Sequence, residues 1–463
     1  MSIKNMQLNR RDFLKMTGLL TGAGITPLAG MALGKVAADA SSRPAVLHKR
    51  PWWVKEVDKP TLAEINEAEF KRFSGASIFA LYRNLKDERD GEGAFQKEQT
   101  EKSSRMAQWM REGKPGFGLR DRMVYDASWT VMRSASPGSG ILSWTKIRVP
   151  SPEDLGVDRY EDTPEEMTKT VKAAARLYGA SLVGIAPMDE RYINLKDSGK
   201  DVVFEDVDIP AVTDEKMVIP KKMKWVISVA IQMDLDLITR VPTAVGAGAS
   251  SLGYSHCAFV VSTLAEFIRG LGYQAIPSVN DTGQSVPFAI DAGIGEMSRT
   301  NRVITPEFGP AVRLAKVFTD MPLVYDKPID FGVVEFCKRC KKCAEACPSG
   351  ALSMSDEPDF EIKGPWNNPG HKAWFDDSYK CYSYWQEITT GCSICFAVCP
   401  YTKAAAAWIH DVVKATASVA PFMDPFFRTM DDAFGYGEEH DPEQWWGQDL
   451  PAFGIYSTQS SGR

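Results

Sequence analysis

Eight of the nine cysteines in this 463-residue chain lie between positions 337 and 399. The first group has the spacing Cys-x2-Cys-x2-Cys-x3-Cys-Pro, and the second ends in Cys-x2-Cys-x3-Cys-Pro with its first cysteine displaced upstream. The groups are Cys337, Cys340, Cys343 and Cys347, then Cys381, Cys392, Cys395 and Cys399. The first spacing is that of bacterial ferredoxins, whose thiolates bind iron-sulfur clusters. The chemistry it predicts is transfer of single electrons.

In two-cluster ferredoxins the fourth cysteine of a run binds the other cluster. The crossed pattern predicts two 4Fe-4S clusters, one held by Cys337, Cys340, Cys343 and Cys399, the other by Cys381, Cys392, Cys395 and Cys347. Structural zinc is an alternative, but zinc sites seldom use a four-cysteine run that ends in Cys-Pro. Cys257 stands apart and is expected to be a small buried hydrophobe.

Residues 1–40 have the features of a targeting segment. Arg10-Arg11 forms a twin-arginine motif, a weakly apolar stretch follows, and Ala38-Asp39-Ala40 fits an A-x-A cleavage site. The pattern resembles a Tat signal, the route for proteins exported already folded around a cofactor. A membrane-spanning helix is the alternative, but the stretch is barely long enough and contains several glycines and a proline. Disulfides, the usual use of exported cysteines, would not require export in the folded state.

The formal net charge of −6 argues against a nucleic-acid partner, because no broad basic field is available for a phosphate backbone. Removal of residues 1–40 takes five basic and two acidic residues with it, which leaves a charge of −9. No later segment has eighteen consecutive apolar residues, so the mature protein is expected to be soluble or peripheral.

The elements that must position these cysteines precede them. Residues 41–150 are expected to form an irregular, partly helical wrap, and residues 404–463 an aromatic, acidic tail. Between them, helical and strand patterns alternate over 151–330, and a ferredoxin-like domain follows at 331–403. The predicted helices are 165–178 and 259–269, and the predicted strands are 181–186, 225–231 and 273–277. The fold class is therefore α/β.

The combination of a Tat signal, an α/β core and two ferredoxin-type cysteine groups resembles the respiratory reductive dehalogenases. Three further stretches support the resemblance, at residues 276–285 (IPSVNDTGQS), 304–310 (ITPEFGP) and 327–332 (KPIDFG). The resemblance implies a nitroreductase-like core that binds cobalamin, with the clusters feeding electrons to its cobalt. It also implies an organohalide substrate, a respiratory electron donor and a small membrane-integral anchor protein at the outer face of the cytoplasmic membrane.

The resemblance also assigns residues of the site. Tyr254 matches the family's proton donor, Arg313 the arginine beside it, and Asn280 the asparagine of a loop that lines the same pocket. A guanidinium near a phenol favours the phenolate and so eases proton release. Trp385 is a candidate for lining an apolar substrate pocket, with a core position as the alternative, and the N-terminal wrap is expected to contribute to that pocket.

Two other functions fit parts of the sequence. A non-catalytic electron-transfer subunit would need only the clusters. An epoxyqueuosine reductase combines cobalamin with two clusters but acts on tRNA in the cytoplasm, which the signal and the negative charge oppose. None of the five histidines has an aspartate two residues before it, so the D-x-H-x2-G motif of histidine-ligated cobalamin is missing.

Overall fold

The computed structural model describes residues 50–450 apart from residues 52, 74–76, 404–407 and 420. The predicted signal at 1–40 and the last part of the predicted tail lie outside the described residues. The α-helices are α1 Ile78–Asp90, α2 Ala94–Glu112, α3 Leu119–Ser128, α4 Thr130–Arg133, α5 Pro152–Leu155, α6 Pro164–Leu177, α7 Leu235–Ile238, α8 Ala244–Gly270, α9 Ser285–Asp291, α10 Val333–Cys340, α11 Lys342–Glu345, α12 Ser378–Glu387, α13 Ile394–Ala397, α14 Trp408–Val419, α15 Asp424–Ala433 and α16 Pro442–Trp445.

The strands are β1 Lys55–Glu56, β2 Leu182–Pro187, β3 Lys196–Asp197, β4 Lys200–Glu205, β5 Ala211–Val212, β6 Lys216–Pro220, β7 Trp225–Gln232, β8 Ala275–Ser278, β9 Glu296–Met297, β10 Val303–Ile304, β11 Val312–Thr319 and β12 Ile329–Asp330. A central sheet has the order β2-β7-β11-β8, and a smaller sheet has the order β3-β4-β6-β5. Two further sheets have two strands each, β1 with β12 and β9 with β10.

All neighbours in the central sheet are antiparallel. Because side chains alternate along a strand, Ile227 and Val229 of β7 enter a core with α6 and α8, whereas Val226 enters a second core with α9. Both faces are therefore buried, and the strands have apolar side chains at nearly every position. This confirms the predicted mixture of helices and sheet, and the three predicted strands are found with small shifts at their ends.

The helix predicted at 259–269 begins much earlier, at Ala244. The first half of α8 was not predicted because Gly246, Gly248 and Gly253 weaken helix propensity. Here the glycines allow close packing, since a Cβ on Gly246 would lie 2.5 Å from the backbone of Arg240. The Thr243 side chain accepts a hydrogen bond from the Gly246 N–H and caps this end.

The region 50–150 is more regular than predicted. It contains α1 to α4, and α2 alone has 19 residues. Helix α3 packs along α8, where a Cβ on Gly248 would lie 2.8 Å from Val124. The prediction of an irregular, partly helical wrap did not locate these helices, because an amphipathic face is recognisable only when its partner helix is known.

Short helices carry the cysteines. Helices α10 and α14 contribute to a separate core that includes Trp53, Phe331, Phe336 and Trp374. In the part of the chain that the structure describes, no helix has both the length and the apolar character needed to cross a membrane.

Candidate active site and cluster sites

The first set of cysteines meets around one small apolar cavity. Helix α10 contributes Cys337 and Cys340, α11 contributes Cys343, and Cys399 follows α13; all four line this cavity. Phe336 and Tyr401 add to its wall. The structure therefore brings together the four residues that the crossed pattern assigned to one cluster.

The second set also converges. The thiol of Cys395 lies within electrostatic range of Cys392 and Cys347, and that of Cys381 within range of Cys395 and Cys347. Burial raises the pKa of Cys381, Cys392 and Cys395 to about 12. Thiolates in such a place require a positive partner, which iron supplies.

The cysteines are free thiols in this structure. Among the described residues, no group of three His, Cys, Asp or Glu side chains is arranged to hold a single metal ion. A cubane makes a different demand, since its four thiolates bind four separate iron atoms.

The two sets are neighbours. Burial raises the pKa of Cys343, and the nearby Cys337, Cys399 and Cys395 raise it further, so Cys343 lies close to a member of each set. Cys395 and Cys399 are one helical turn apart. An electron on one set therefore has a short path to the other.

A buried arginine supports the first set. Arg299 is 1% exposed, and its Nη2 donates to the carbonyl of Cys337 at 2.6 Å. Its Nη1 donates to the carbonyls of Ser353 and Ser355 at 2.7 and 2.6 Å. The guanidinium also lies 4.9 Å from the ring centroid of Trp374. One cation thus fixes the backbone at a cluster cysteine.

Tyr254 and Arg313 are in contact, as the resemblance implied. Tyr254 projects from α8, and the Arg313 guanidinium, from β11, lies 4.9 Å from the centroid of its ring. The Tyr254 ring also stacks on Trp129, with centroids 5.3 Å apart and planes inclined by 17°. The phenol therefore contacts both a cation and an indole.

Gly253 makes this approach possible. A Cβ at Gly253 would lie 2.9 Å from Cγ of Arg313, closer than a side chain tolerates. The glycine before the predicted acid thus admits the arginine from the neighbouring strand.

Arg313 also contacts the segment that carries Cys392 and Cys395, without touching the cysteines themselves. Its guanidinium lies 5.5 Å from the centroid of Phe396, the residue after Cys395. Its Nη2 donates to Oγ of Ser250 at 2.5 Å, and that oxygen lies 3.2 Å from Oγ of Ser393, between Cys392 and Cys395. One side chain therefore connects Tyr254 to a cluster loop.

Asn280 and Trp385 were also predicted to belong to this site, and the structure gives neither of them a contact with Tyr254 or Arg313 among the described residues. Asn280 is exposed in the loop after β8. Lys316 of β11 is the register partner of Ser278, so this loop continues towards the end of β11 that carries Arg313. Trp385 of α12 is half-buried, with its ring centroid 5.8 Å from those of Phe79 and Tyr382.

Sequence reasoning missed two residues that the structure places here. Trp129 belongs to the region predicted as an N-terminal wrap, and it stacks on Tyr254. Arg302 pairs with the buried Asp376 at 3.5 Å, and Asp376, Cys381, Cys395 and Tyr254 raise its pKa. No local pattern signals either residue, because both reach the site through tertiary packing.

Comparison with known proteins gives two sequence families. The family described as "Reductive dehalogenase subunit" matches residues 196–323, and that described as "4Fe-4S double cluster binding domain" matches residues 336–402. The second match contains all eight clustered cysteines.

Curated relatives extend the match. A tetrachloroethene reductive dehalogenase of Sulfurospirillum multivorans is 42% identical over 371 residues, which cover 75% of this chain and 74% of that protein. One from Desulfitobacterium hafniense strain Y51 is 36% identical and covers 66% of this chain; the match spans only 60% of that relative. A trichloroethene reductive dehalogenase of Dehalococcoides mccartyi strain 195 is 26% identical, covering 96% of this chain and 98% of that protein.

The fold has a solved counterpart. The structure of a catabolic reductive dehalogenase matches with a TM-score of 0.63 and 22% identity, covering 89% of this chain. The chain spans about half the length of that structure, 52%.

Proposed function

This chain belongs to the reductive dehalogenase family, and we propose that it removes halide from an organohalide as the terminal step of anaerobic respiration. The observation that carries the proposal is Arg313, whose guanidinium lies 4.9 Å from the ring of Tyr254 and 5.5 Å from that of Phe396, the neighbour of Cys395. An electron-transfer subunit has no need of a proton donor beside its cluster. The alternative of a non-catalytic subunit is therefore disfavoured.

The clusters have a defined place in this proposal. Cys337, Cys340, Cys343 and Cys399 hold one 4Fe-4S cluster, and Cys381, Cys392, Cys395 and Cys347 hold the other. The first set lines a common cavity, and the thiols of the second lie within mutual electrostatic range. When bound, the clusters would supply single electrons, and the second would lie near Phe396, which contacts Arg313.

Cobalamin fits the polar groups around this site. In the described part of the chain, buried donors without a partner include Nε of Arg313, Nε1 of Trp129 and the hydroxyls of Thr389 and Thr390, which precede Cys392. Buried polar atoms normally find partners, and a macrocycle with amide side chains would supply them. These residues are the ones that would hold it. When bound, it supplies a cobalt centre that delivers electrons to a carbon–halogen bond.

The reaction balances with one proton. The carbon–halogen bond breaks and the halide leaves with the bonding pair, while two electrons from the clusters and a proton from the Tyr254 hydroxyl complete a new carbon–hydrogen bond. Arg313 stabilises the resulting phenolate, which regains its proton from solvent. A positioned acid of this kind contributes about 10² to 10⁴ in rate.

The relatives indicate the first substrates to test. Those cited above are named for tetrachloroethene and trichloroethene, so we expect a chlorinated ethene. Trp385 forms an aromatic group with Phe79 and Tyr382, and in this proposal that group lines the apolar part of the substrate pocket. Halide release measured anaerobically, over chlorinated and brominated ethenes, alkanes and aromatics, tests this. Release from no member of the panel by protein with full iron and corrinoid content would refute the proposed function.

The proposed function also includes export of the protein. Arg10-Arg11 and Ala38-Asp39-Ala40 support passage through the Tat route, with the mature chain held at the outer face of the cytoplasmic membrane by a small membrane-integral partner. Sequencing the N-terminus of the mature protein checks this, since cleavage should follow Ala40. An intact N-terminus on soluble cytoplasmic protein would contradict it.

A further inference from the structure

Lys316 is a buried lysine with no role in the mechanism above. It lies in the middle of β11 and is 0% exposed. Its Nζ donates to the carbonyls of Val279 and Asp281 at 3.0 and 3.2 Å and to Oγ of Ser285 at 3.1 Å. Burying an ammonium costs free energy unless hydrogen bonds and countercharges offset it. All three acceptors belong to one loop, the segment 279–285 that contains Asn280.

This loop is folded around the ammonium. The Ser278 hydroxyl donates to the carbonyl of Asp281 at 2.7 Å, and the Asp281 carboxylate accepts from the Val279 N–H at 2.7 Å. Val279 and Thr282 are 0% exposed, and Thr282 has a φ of 62°. Such backbone persists only where the surroundings fix it. Between these buried residues, Asn280 alone projects outward.

We propose that Lys316 is a positioning residue that holds the 279–285 loop so that Asn280 faces the substrate. The proposal rests on the proposed function, in which Asn280 lines the substrate pocket. Lys316 and Arg313 lie on the same strand, three residues apart, and so on opposite faces of it. Strand β11 thereby fixes the position of Arg313 beside Tyr254 and, through Lys316, the position of the 279–285 loop.

The charges around Lys316 give the proposal a pH dependence. Burial lowers the pKa of Lys316 to about 8, and the groups that face it, Asp281, Asp197 of β3 and Cys257 of α8, oppose that lowering. The ammonium has three donors for three acceptors, whereas the neutral amine has two. The loop should therefore loosen, and turnover should fall, as the pH rises through about 8.

Lys316→Met tests the proposal in the cofactor-loaded enzyme. Amide exchange in residues 279–285 should rise about tenfold or more, because hydrogen bonds from a charged donor are lost. Turnover should fall by about 10², the effect of a small displacement at a reaction site, and the decline above pH 8 should disappear. The matched control is Thr319→Val on the same strand, also 0% exposed, whose hydroxyl bonds to Gln274 outside the loop. It should leave loop exchange and the pH profile unchanged.

A second variant covers the case in which Lys316→Met does not fold. Lys316→Met combined with Asp281→Asn removes both buried charges and should fold with a loose loop. Unchanged amide exchange at 279–285 in either folded variant would overturn the proposal. Faster exchange with full turnover would also overturn it, if Asn280→Ala is inactive in the same assay. If the exchange is faster and Asn280→Ala is fully active, Lys316 still holds the loop, and the proposed role of Asn280 is refuted.

Discussion

The two cysteine sets differ in their surroundings. Three cysteines of the first set are buried around an apolar cavity, and the buried Arg299 donates to the carbonyl of Cys337. Three cysteines of the second set are partly exposed, although burial raises the pKa of the Cys381 and Cys395 thiols, and Arg302 with Asp376, and Arg313 through Phe396, lie near them. The environment of the first set shields a redox group from solvent. The environment of the second set places a redox group near side chains that can hold or release a proton.

The C-terminal segment contacts the segments that carry the first set. Lys342, between Cys340 and Cys343, pairs at 2.7 Å with the buried Asp431 of α15. Lys403, four residues after Cys399, pairs with the same carboxylate at 2.5 Å. Ion pairs of this kind, buried and shared, are strongly destabilising to break. The later helix α15 is thus tied to the segments that carry the first cysteine set.

The largest expected effect comes from removing one cluster. Cys395→Ser should abolish halide release and lower the iron content from about eight to about four per chain, since each cubane needs four cysteines. Cys337→Ser should also abolish halide release and lower the iron content to about four per chain, because it removes the other cluster. Iron that remains near eight in Cys395→Ser would exclude Cys395 as a ligand. Cys257→Ala is the control and should keep all the iron, because Cys257 lies in the core beside the central sheet.

The second prediction concerns the surroundings of the first set. Arg299→Met leaves the carbonyls of Cys337, Ser353 and Ser355 without their donor. The free energy of unfolding should fall by about 3 kcal/mol, since each buried orphan costs ~1–3 kcal/mol. The potential of the first cluster should become more negative as a buried cation is lost. Denaturant titration and redox titration measure both.

A surface pair provides the control for Arg299. Lys327→Met breaks the exposed pair with Asp58, and it should leave the free energy of unfolding almost unchanged, because exposed ion pairs contribute little. A potential that does not move in Arg299→Met would show that Arg299 supports the backbone without acting on the cluster.

The third prediction concerns the surroundings of the second set. In Gly253→Ala the new Cβ would lie 2.9 Å from Arg313 Cγ, so the arginine must move. Overpacking of this kind costs about 1–3 kcal/mol, and turnover should fall because Arg313 no longer lies over Tyr254. Gly270→Ala in the same helix meets Val149 at an ordinary 3.8 Å and should be neutral or stabilising. Equal effects of the two variants would contradict this account of Gly253.

The smallest expected effect comes from Ser250, whose hydroxyl lies between Arg313 and Ser393. Ser250→Ala removes the acceptor of Arg313 and the contact with Ser393. The loss should be about 1 kcal/mol, the usual worth of one hydrogen bond, seen as a several-fold fall in turnover at full iron content. Ser262→Ala in the same helix removes only a bond to Phe259 and should leave turnover unchanged. If both variants behave alike, the Ser250 hydroxyl does not contribute to the reaction.

The cluster region was the more predictable part of the molecule. Its cysteines lie within 63 residues and their spacing is local, so their grouping follows from the chain itself. The strands of the core were found because both faces of the sheet are buried and their apolar runs are continuous. The first half of α8 was missed because its glycines serve packing against Arg240 and Val124, which sequence alone does not reveal.

The acid site was accessible only through family resemblance. Tyr254, Arg313 and Trp129 come from a helix, a strand and an N-terminal segment that are far apart in sequence. Nothing in their local sequence distinguishes them from packing residues. Lys316 was also missed, since a lone lysine in an apolar strand gives no sign that a loop will fold around its ammonium.

We propose that the proton comes from Tyr254, near the second cysteine set. Tyr254→Phe keeps the ring that stacks on Trp129 and lies below Arg313, while it removes the hydroxyl. With iron and corrinoid content equal to the parent enzyme, halide release under anaerobic conditions should fall by at least ~10². Parental turnover in that fully loaded variant would contradict the claim and assign proton delivery to another group.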